Sequence, residues 1–167
     1  PGALATAYNG GESDAFVTKL APDGSALEYS TYLGGSQAEC VYQDCAVAID
    51  AAGAAYVTGN TQSDDFPITP GTFDPSFHGG GYDNTDAFVT KLTPDGAVLV
   101  YSTYLGGGCD DGGTGVRLDP GGRAFLGGYT CSPDFPTTPD ACAPQYPFSI
   151  VAACMAVLNE SGSALDY

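Results

Sequence analysis

The sequence predicts an all-β protein made of tandem four-stranded antiparallel modules. Three observations predict it. Ser13–Leu20 reads SDAFVTKL and Thr85–Leu92 reads TDAFVTKL, while Tyr29–Gly35 and Tyr101–Gly107 both read YSTYLGG at the same offset. A fixed internal period of this kind is the mark of a repeat architecture. The runs between turns are short and rich in Val, Phe, Tyr and Thr, as strands are. Finally, 24 Gly and 12 Pro are spread along the chain with no helical period, which argues against helices throughout.

The repeat register runs the length of the sequence. Asp50-Ala51-Ala52-Gly53 returns as Asp119-Pro120-Gly121-Gly122, and Asp65–Pro70 (DFPITP) returns as Asp134–Pro139 (DFPTTP). These anchors divide a single repeat domain, 1–167, into units at about 1–69 and 70–138 and a partial one at 139–167. Each unit offers four strands. The first is Ala46–Asp50, with its copy Gly115–Asp119; the second is Ala55–Thr58, with Ala124–Gly127. The third is Ala15–Leu20, copied as Ala87–Leu92 and weakly as Ala153–Leu158. The fourth is Leu27–Leu33, copied as Leu99–Leu105. Strands three and four are joined by Pro22-Asp23-Gly24 or Pro94-Asp95-Gly96, a hairpin signal because Pro presets its φ and Gly tolerates a positive one. Within Ala87–Leu92, alternation places Phe88, Thr90 and Leu92 on one side and Ala87, Val89 and Lys91 on the other.

Small four-stranded sheets in tandem cannot each bury both faces alone, so they stack, as the blades of a β-propeller do. Tyr29–Gly35, Ala55–Gly59, Asp65–Pro70 and Asp14–Leu20, with the copies Tyr101–Gly107, Asp134–Pro139 and Asp86–Leu92, closely resemble the bacterial beta-propeller repeat called SBBP. The third unit departs from it: Ala152 stands at the position of Asp86, Cys154 at that of Phe88 and Val157 at that of Lys91. The resemblance implies a large exported bacterial protein and brings no catalytic residues with it. About two and a half blades fall short of the roughly four to eight that close a ring. The expected partners are therefore further copies of this chain or the remainder of a longer polypeptide, added at open sheet edges.

Charge excludes other classes. Twenty acidic residues face four basic ones (Lys19, Lys91, Arg117 and Arg123), for a net charge of −16. Phosphate binding needs Lys and Arg, so nucleic acid is not the partner. No apolar run reaches membrane-spanning length, so no membrane insertion is expected. The acidity serves solubility, or else a cationic partner or divalent metal.

Six cysteines, Cys40, Cys45, Cys109, Cys131, Cys142 and Cys154, are disulfide candidates in an exported protein. Their pairing does not follow from sequence alone. Cys40 with Cys45 would close a local loop, and Cys131 and Cys142 bracket the second Asp-Phe-Pro segment. The single histidine, His78, argues against structural zinc, and no haem-attachment signature is present.

Asp64, Asp65, Asp83, Asp86, Asp110, Asp111 and Asp134 are candidate metal ligands, because hard oxygens in Gly-rich loops suit calcium. None has the twelve-residue calcium-loop spacing, and turn capping is the commoner use of such aspartates. Where the second unit has Asp110-Asp111-Gly112, the first has Gln37-Ala38-Glu39-Cys40. The aromatics Phe16, Tyr29, Tyr32, Tyr56, Phe66, Phe88, Tyr101, Tyr104, Phe125 and Phe135 recur as structural repeat positions. Tyr29 and Tyr32, three apart on a strand, face opposite sides, as do Tyr101 and Tyr104. Asn159-Glu160-Ser161 matches a glycosylation sequon but also the turn at Thr93-Pro94-Asp95. His78 has no nucleophile motif beside it, and G-x-S-x-G is absent.

These observations predict a non-catalytic extracellular or cell-surface module for scaffolding, self-assembly or adhesion, with no resident cofactor. The alternative is a calcium-dependent carbohydrate-binding, lectin-like module; weaker still is a fragment of a propeller hydrolase, since such enzymes use scattered Asp and Glu. Besides its own kind, the partner expected is a carbohydrate or a surface protein.

Overall fold

The computed structural model describes residues 2–141 and 151–167. Their elements are nine strands and one short 3-10 turn: β1 Ala15–Leu20, β2 Leu27–Leu33, the turn Val41–Gln43, β3 Ala46–Ile49, β4 Ala55–Thr61, β5 Asp86–Leu92, β6 Leu99–Leu105, β7 Asp111–Leu118, β8 Ala124–Thr130 and β9 Ala152–Leu158. Every pairing is antiparallel, which bears out the all-β reading. The strands form a two-stranded sheet β1-β2, a four-stranded sheet β3-β4-β5-β6 and a three-stranded sheet β7-β8-β9. The central sheet takes β3 and β4 from the first repeat unit and β5 and β6 from the second.

The turns follow from their residues. In all three hairpins of strands three and four, a Gly N–H closes the turn: Gly24 to Ala21 O, Gly96 to Thr93 O and Gly162 to Asn159 O. Each of these glycines has φ near +70°, a region where a Cβ is strained. The Asn159 segment therefore forms the same turn as Pro94-Asp95-Gly96, as its alignment with that turn suggested. Asp50 and Asp119 close the turns between strands one and two by accepting N–H bonds from Ala52 and Ala54, and from Gly121 and Arg123. Both β1-β2 and β5-β6 carry a register shift at the same place, Lys19/Leu20 and Lys91/Leu92.

Two cores hold the three sheets together. One gathers Val17, Tyr29 and Leu33 of the first sheet with Val57, Phe88, Leu92 and Tyr104 of the central one, and Phe66 lies among them. The other joins Tyr56, Val89, Tyr101 and Leu105 of the central sheet to Val116, Leu126, Ala156 and Leu158 of the third. The alternation of β5 is thus realised, with Phe88 and Leu92 facing one neighbour and Ala87 and Val89 the other. Tyr101 and Tyr104 likewise enter opposite cores. A repeated contact sets the stacking. The Tyr29 ring occupies the space a Cβ on Gly96 would need, and the Tyr101 ring does the same to Gly162.

Several strands differ from the expected bounds: β4 and β8 run three residues further, to Thr61 and Thr130, and β3, β5 and β9 shift by one residue at an end. β7 begins at Asp111 rather than Gly115, because pairing with β8 continues across an irregularity at Gly113/Gly115. The matching stretch of the first unit makes only the isolated bridge Glu39↔Thr61 before a Cys40–Cys45 disulfide turns the chain aside.

Candidate functional site

Two places in the molecule concentrate chemistry: a repeated knot of buried carboxylates, and an open sheet edge beside an apolar groove.

In the second unit the knot is built on Asp86 at the start of β5 and Asp111 at the start of β7, both buried. Asp86 accepts N–H bonds from His78 (2.7 Å) and Gly79 (3.0 Å), one on each oxygen. Asp111 Oδ2 accepts from the Gly107 N–H and the Ser132 hydroxyl, both at 2.7 Å. Asp134 anchors the same turn by accepting the Gly108 N–H at 2.9 Å. Gly106 is required here, because Asp86 Oδ1 and Asp111 Oδ2 each lie 2.8 Å from where its Cβ would stand. Burial, and then the neighbouring Asp111 charge, pushes the Asp86 carboxyl up to about 6 despite its two N–H donors. Asp111 is raised as well, chiefly by burial.

The first unit repeats the knot with one substitution. Glu39 replaces Asp111; its Oε1 accepts the hydroxyls of Thr61 (2.7 Å) and Ser63 (2.5 Å). Asp65 accepts the Ser36 N–H at 2.7 Å, as Asp134 accepts that of Gly108. Asp14 takes the place of Asp86, but a single N–H, that of Asn9 at 2.8 Å, reaches it. Burial raises the Glu39 carboxyl, and the Asp14 charge adds to the effect. Asp14 Oδ1 and Glu39 Oε2 have no hydrogen-bond partner among the described residues, nor has Asp111 Oδ1.

The aspartates singled out in the sequence therefore separate. Asp86, Asp111 and Asp134 meet in one knot, and Asp65 serves the other. Asp110 is half-buried and accepts the N–H groups of Tyr82, Asp83 and Thr85, so it pins the Gly79–Gly81 loop. Asp83 accepts the Tyr42 hydroxyl at 3.0 Å, and Asp64 is exposed in the turn after β4. Sequence reasoning did not single out Asp14 and Glu39 as ligand candidates, although the repeat offset places them on Asp86 and Asp111. His78 pairs with Asp74 at 3.0 Å.

Among the described residues two disulfides form, Cys40–Cys45 and Cys109–Cys131. Cys131 thus pairs backwards to Cys109 rather than across the second Asp-Phe-Pro segment. Cys142 lies outside the described residues, and Cys154 carries a free thiol that burial pushes up to about 11. Cys109, Asp110 and Cys131 lie close together, but sulfurs joined to each other are not thiolate ligands.

The open edge belongs to β1. Among the described residues β1 pairs only with β2, whereas its repeat partner β5 pairs with β6 on one side and β4 on the other. Beside the edge runs a groove of about 750 Å³ lined by Ala15, Val17, Tyr29, Val47, Ile49 and Val57. The outer face of the β1-β2 sheet is also uncovered: Phe16 is 72% exposed and Leu20 57%. Their copies in the central sheet, Phe88 and Leu92, are both 0% exposed. At the far end of the stack, Phe125 and Met155 are exposed in the same way. Of the other repeat aromatics, Tyr32 is partly exposed and edge-on to Tyr8, while Phe66 stacks 4.5 Å from Phe88 and Phe135 packs partly buried against the second core.

The comparison with known families falls on this region. Residues 28–67 match the beta-propeller repeat, SBBP. The match spans β2, the disulfide loop, β3, β4 and the Asp-Phe-Pro segment, so it includes Glu39 and one wall of the groove. No curated protein matches the chain. No helix of the described residues is long and apolar enough to cross a membrane.

Proposed function

We propose that this protein is a non-catalytic structural module of a bacterial extracellular or surface β-propeller assembly, and that it associates by strand addition at β1. The observation that carries this reading is the contrast between equivalent residues. The same DAFVTKL strand is covered on both faces as β5 and bare on its outer face as β1. An exposed apolar sheet face beside an unpaired edge is a surface built for association.

The central sheet indicates the occupant. There the partner of the third strand is the second strand of the same sheet, with Ala55–Thr61 set against Asp86–Leu92. The β1 edge and its groove accordingly take an inner β-hairpin of strand-one and strand-two type, supplied by another repeat unit. The two disulfides favour an oxidising compartment.

Duplicating residues 37–69 and fusing them ahead of residue 1 would supply that hairpin in the natural register. The expected result is a higher Tm than that of the 167-residue chain, together with a monomeric mass by light scattering where the parent chain gives a multiple. A fused chain with unchanged Tm and unchanged mass would overturn the proposal. If the parent chain is monomeric but the fusion is still stabilised, the hairpin belongs to a longer polypeptide rather than to a second copy.

A further inference from the structure

We propose that Asp14 and Glu39 form a calcium site in the first repeat unit. The inference does not depend on the association proposed above. It starts from two oxygen atoms. Asp14 Oδ1 and Glu39 Oε2 are buried and accept no well-aligned hydrogen bond among the described residues, although the Gly35 N–H lies near enough to favour the charged form of Glu39. They also point at the same place. Both lie beside the position a Cβ on Gly34 would take, Asp14 Oδ1 at 2.8 Å and Glu39 Oε2 closer still. Glu39 is only 1% exposed. Two carboxylate oxygens turned out of water toward one point repel, and burial has stripped both of hydration.

No Lys or Arg side chain neutralises them. Its four Lys and Arg side chains are all engaged elsewhere. Lys19 pairs with Glu28, Lys91 with Asp50, Arg123 with Asp119 and Asp166, and Arg117 donates to the Val116 carbonyl. The compensating charge must therefore come from solution. Asp14 is half-exposed, and Tyr8, Asn9 and Glu12 around it are exposed, so the pair is reachable.

The donor set selects the ion. Carboxylate oxygens with room for water suit calcium, whereas zinc wants nitrogen or sulfur. The second unit is the internal contrast. Two backbone N–H groups close Asp86 from both sides, and neither Asp86 oxygen is left without a donor. In the first unit Asp14 keeps one such donor, on its other oxygen, so the two oxygens that converge on Gly34 are the two left free.

The test uses the full chain after treatment with chelator, melted in calcium chloride, magnesium chloride or sodium chloride at equal ionic strength. An affinity of about 10⁻⁴–10⁻³ M, usual for extracellular calcium modules, predicts a Tm rise of roughly 3–10 °C in ~10 mM calcium. Magnesium should give a smaller rise and sodium none. Glu39→Gln and Asp14→Asn should each abolish the rise, while Asp64→Asn, in an exposed turn, should keep it. Near-UV circular dichroism checks that the variants fold. As a second readout, tyrosine-sensitised terbium emission should be displaced by calcium and lost in Asp14→Asn. A calcium shift that survives both knot variants, or that sodium reproduces, overturns the site. So does the absence of any calcium shift; if stability then rises on acidification in wild type but not in Glu39→Gln, the two carboxyls share a proton instead.

Discussion

Strands β1 and β5 carry almost the same residues and lead different lives. Phe16 and Leu20 stand in water on the outer face of β1, while Phe88 and Leu92 are sealed between two sheets. Tyr29 enters a core beneath Gly96, yet nothing lies within 4 Å of the Cβ position of Gly24, the same glycine one unit earlier. The local sequence sets the strand, the turn and the direction of each side chain. Burial is conferred by the neighbouring sheet. A repeat strand is therefore equally a core element and an interface element, and its place in the stack decides which.

The largest break in the equivalence should come from removing the rings. Phe88→Ala empties a close-packed site against Phe66 and should cost about 3–5 kcal/mol. Phe16→Ala removes an exposed ring and should change stability by less than about 0.5 kcal/mol. Chemical denaturation of both variants checks the pair. Equal losses would mean that the β1 face is already covered in solution, as it would be in an assembly.

The glycines give a finer test. Gly24→Ala and Gly96→Ala both place a Cβ at positive φ, at a cost of about 1–2 kcal/mol. Only Gly96→Ala also collides with the Tyr29 ring, which should add about 1–3 kcal/mol of overpacking. The difference between the two melting temperatures reads that contact directly.

The last test is a pH dependence. The folded Asp86 carboxyl is raised to about 6, above the roughly 3.9 of an unfolded aspartate. The native state thus holds a proton that the unfolded state releases. The stability this group contributes is full below about pH 4 and is lost as pH rises through about 6. Burial, and after it the Asp111 charge, opposes its ionisation, while the backbone N–H groups of His78 and Gly79 and the nearby His78 side chain favour it. Asp86→Asn should flatten that part of the stability–pH curve, measured by thermal melts between pH 4 and 7.

Much of this was legible in advance. Tyr101 and Tyr104 separate to opposite cores because strands alternate with period two, and that needs no tertiary knowledge. The Cys40–Cys45 loop was suggested by its short spacing. The Cys109–Cys131 bond was not, because it joins the start of β7 to the end of β8, and only the antiparallel pairing of those strands brings the two residues together. The candidate aspartates were legible as a class but not by role. Asp110 looked like a ligand and is a loop anchor, because three backbone N–H groups converge on it.

The sequence by itself determined the strands, the turns, the repeat register and the acidity. Each depends on residues within a few positions of one another, or on simple sums over the chain. Tertiary structure alone decided which copy of a repeated residue is buried, which carboxylates face each other and which sheet edge is left open. Those properties belong to pairs of surfaces distant in sequence, and identical strands acquire different energies when only one of them has a neighbour.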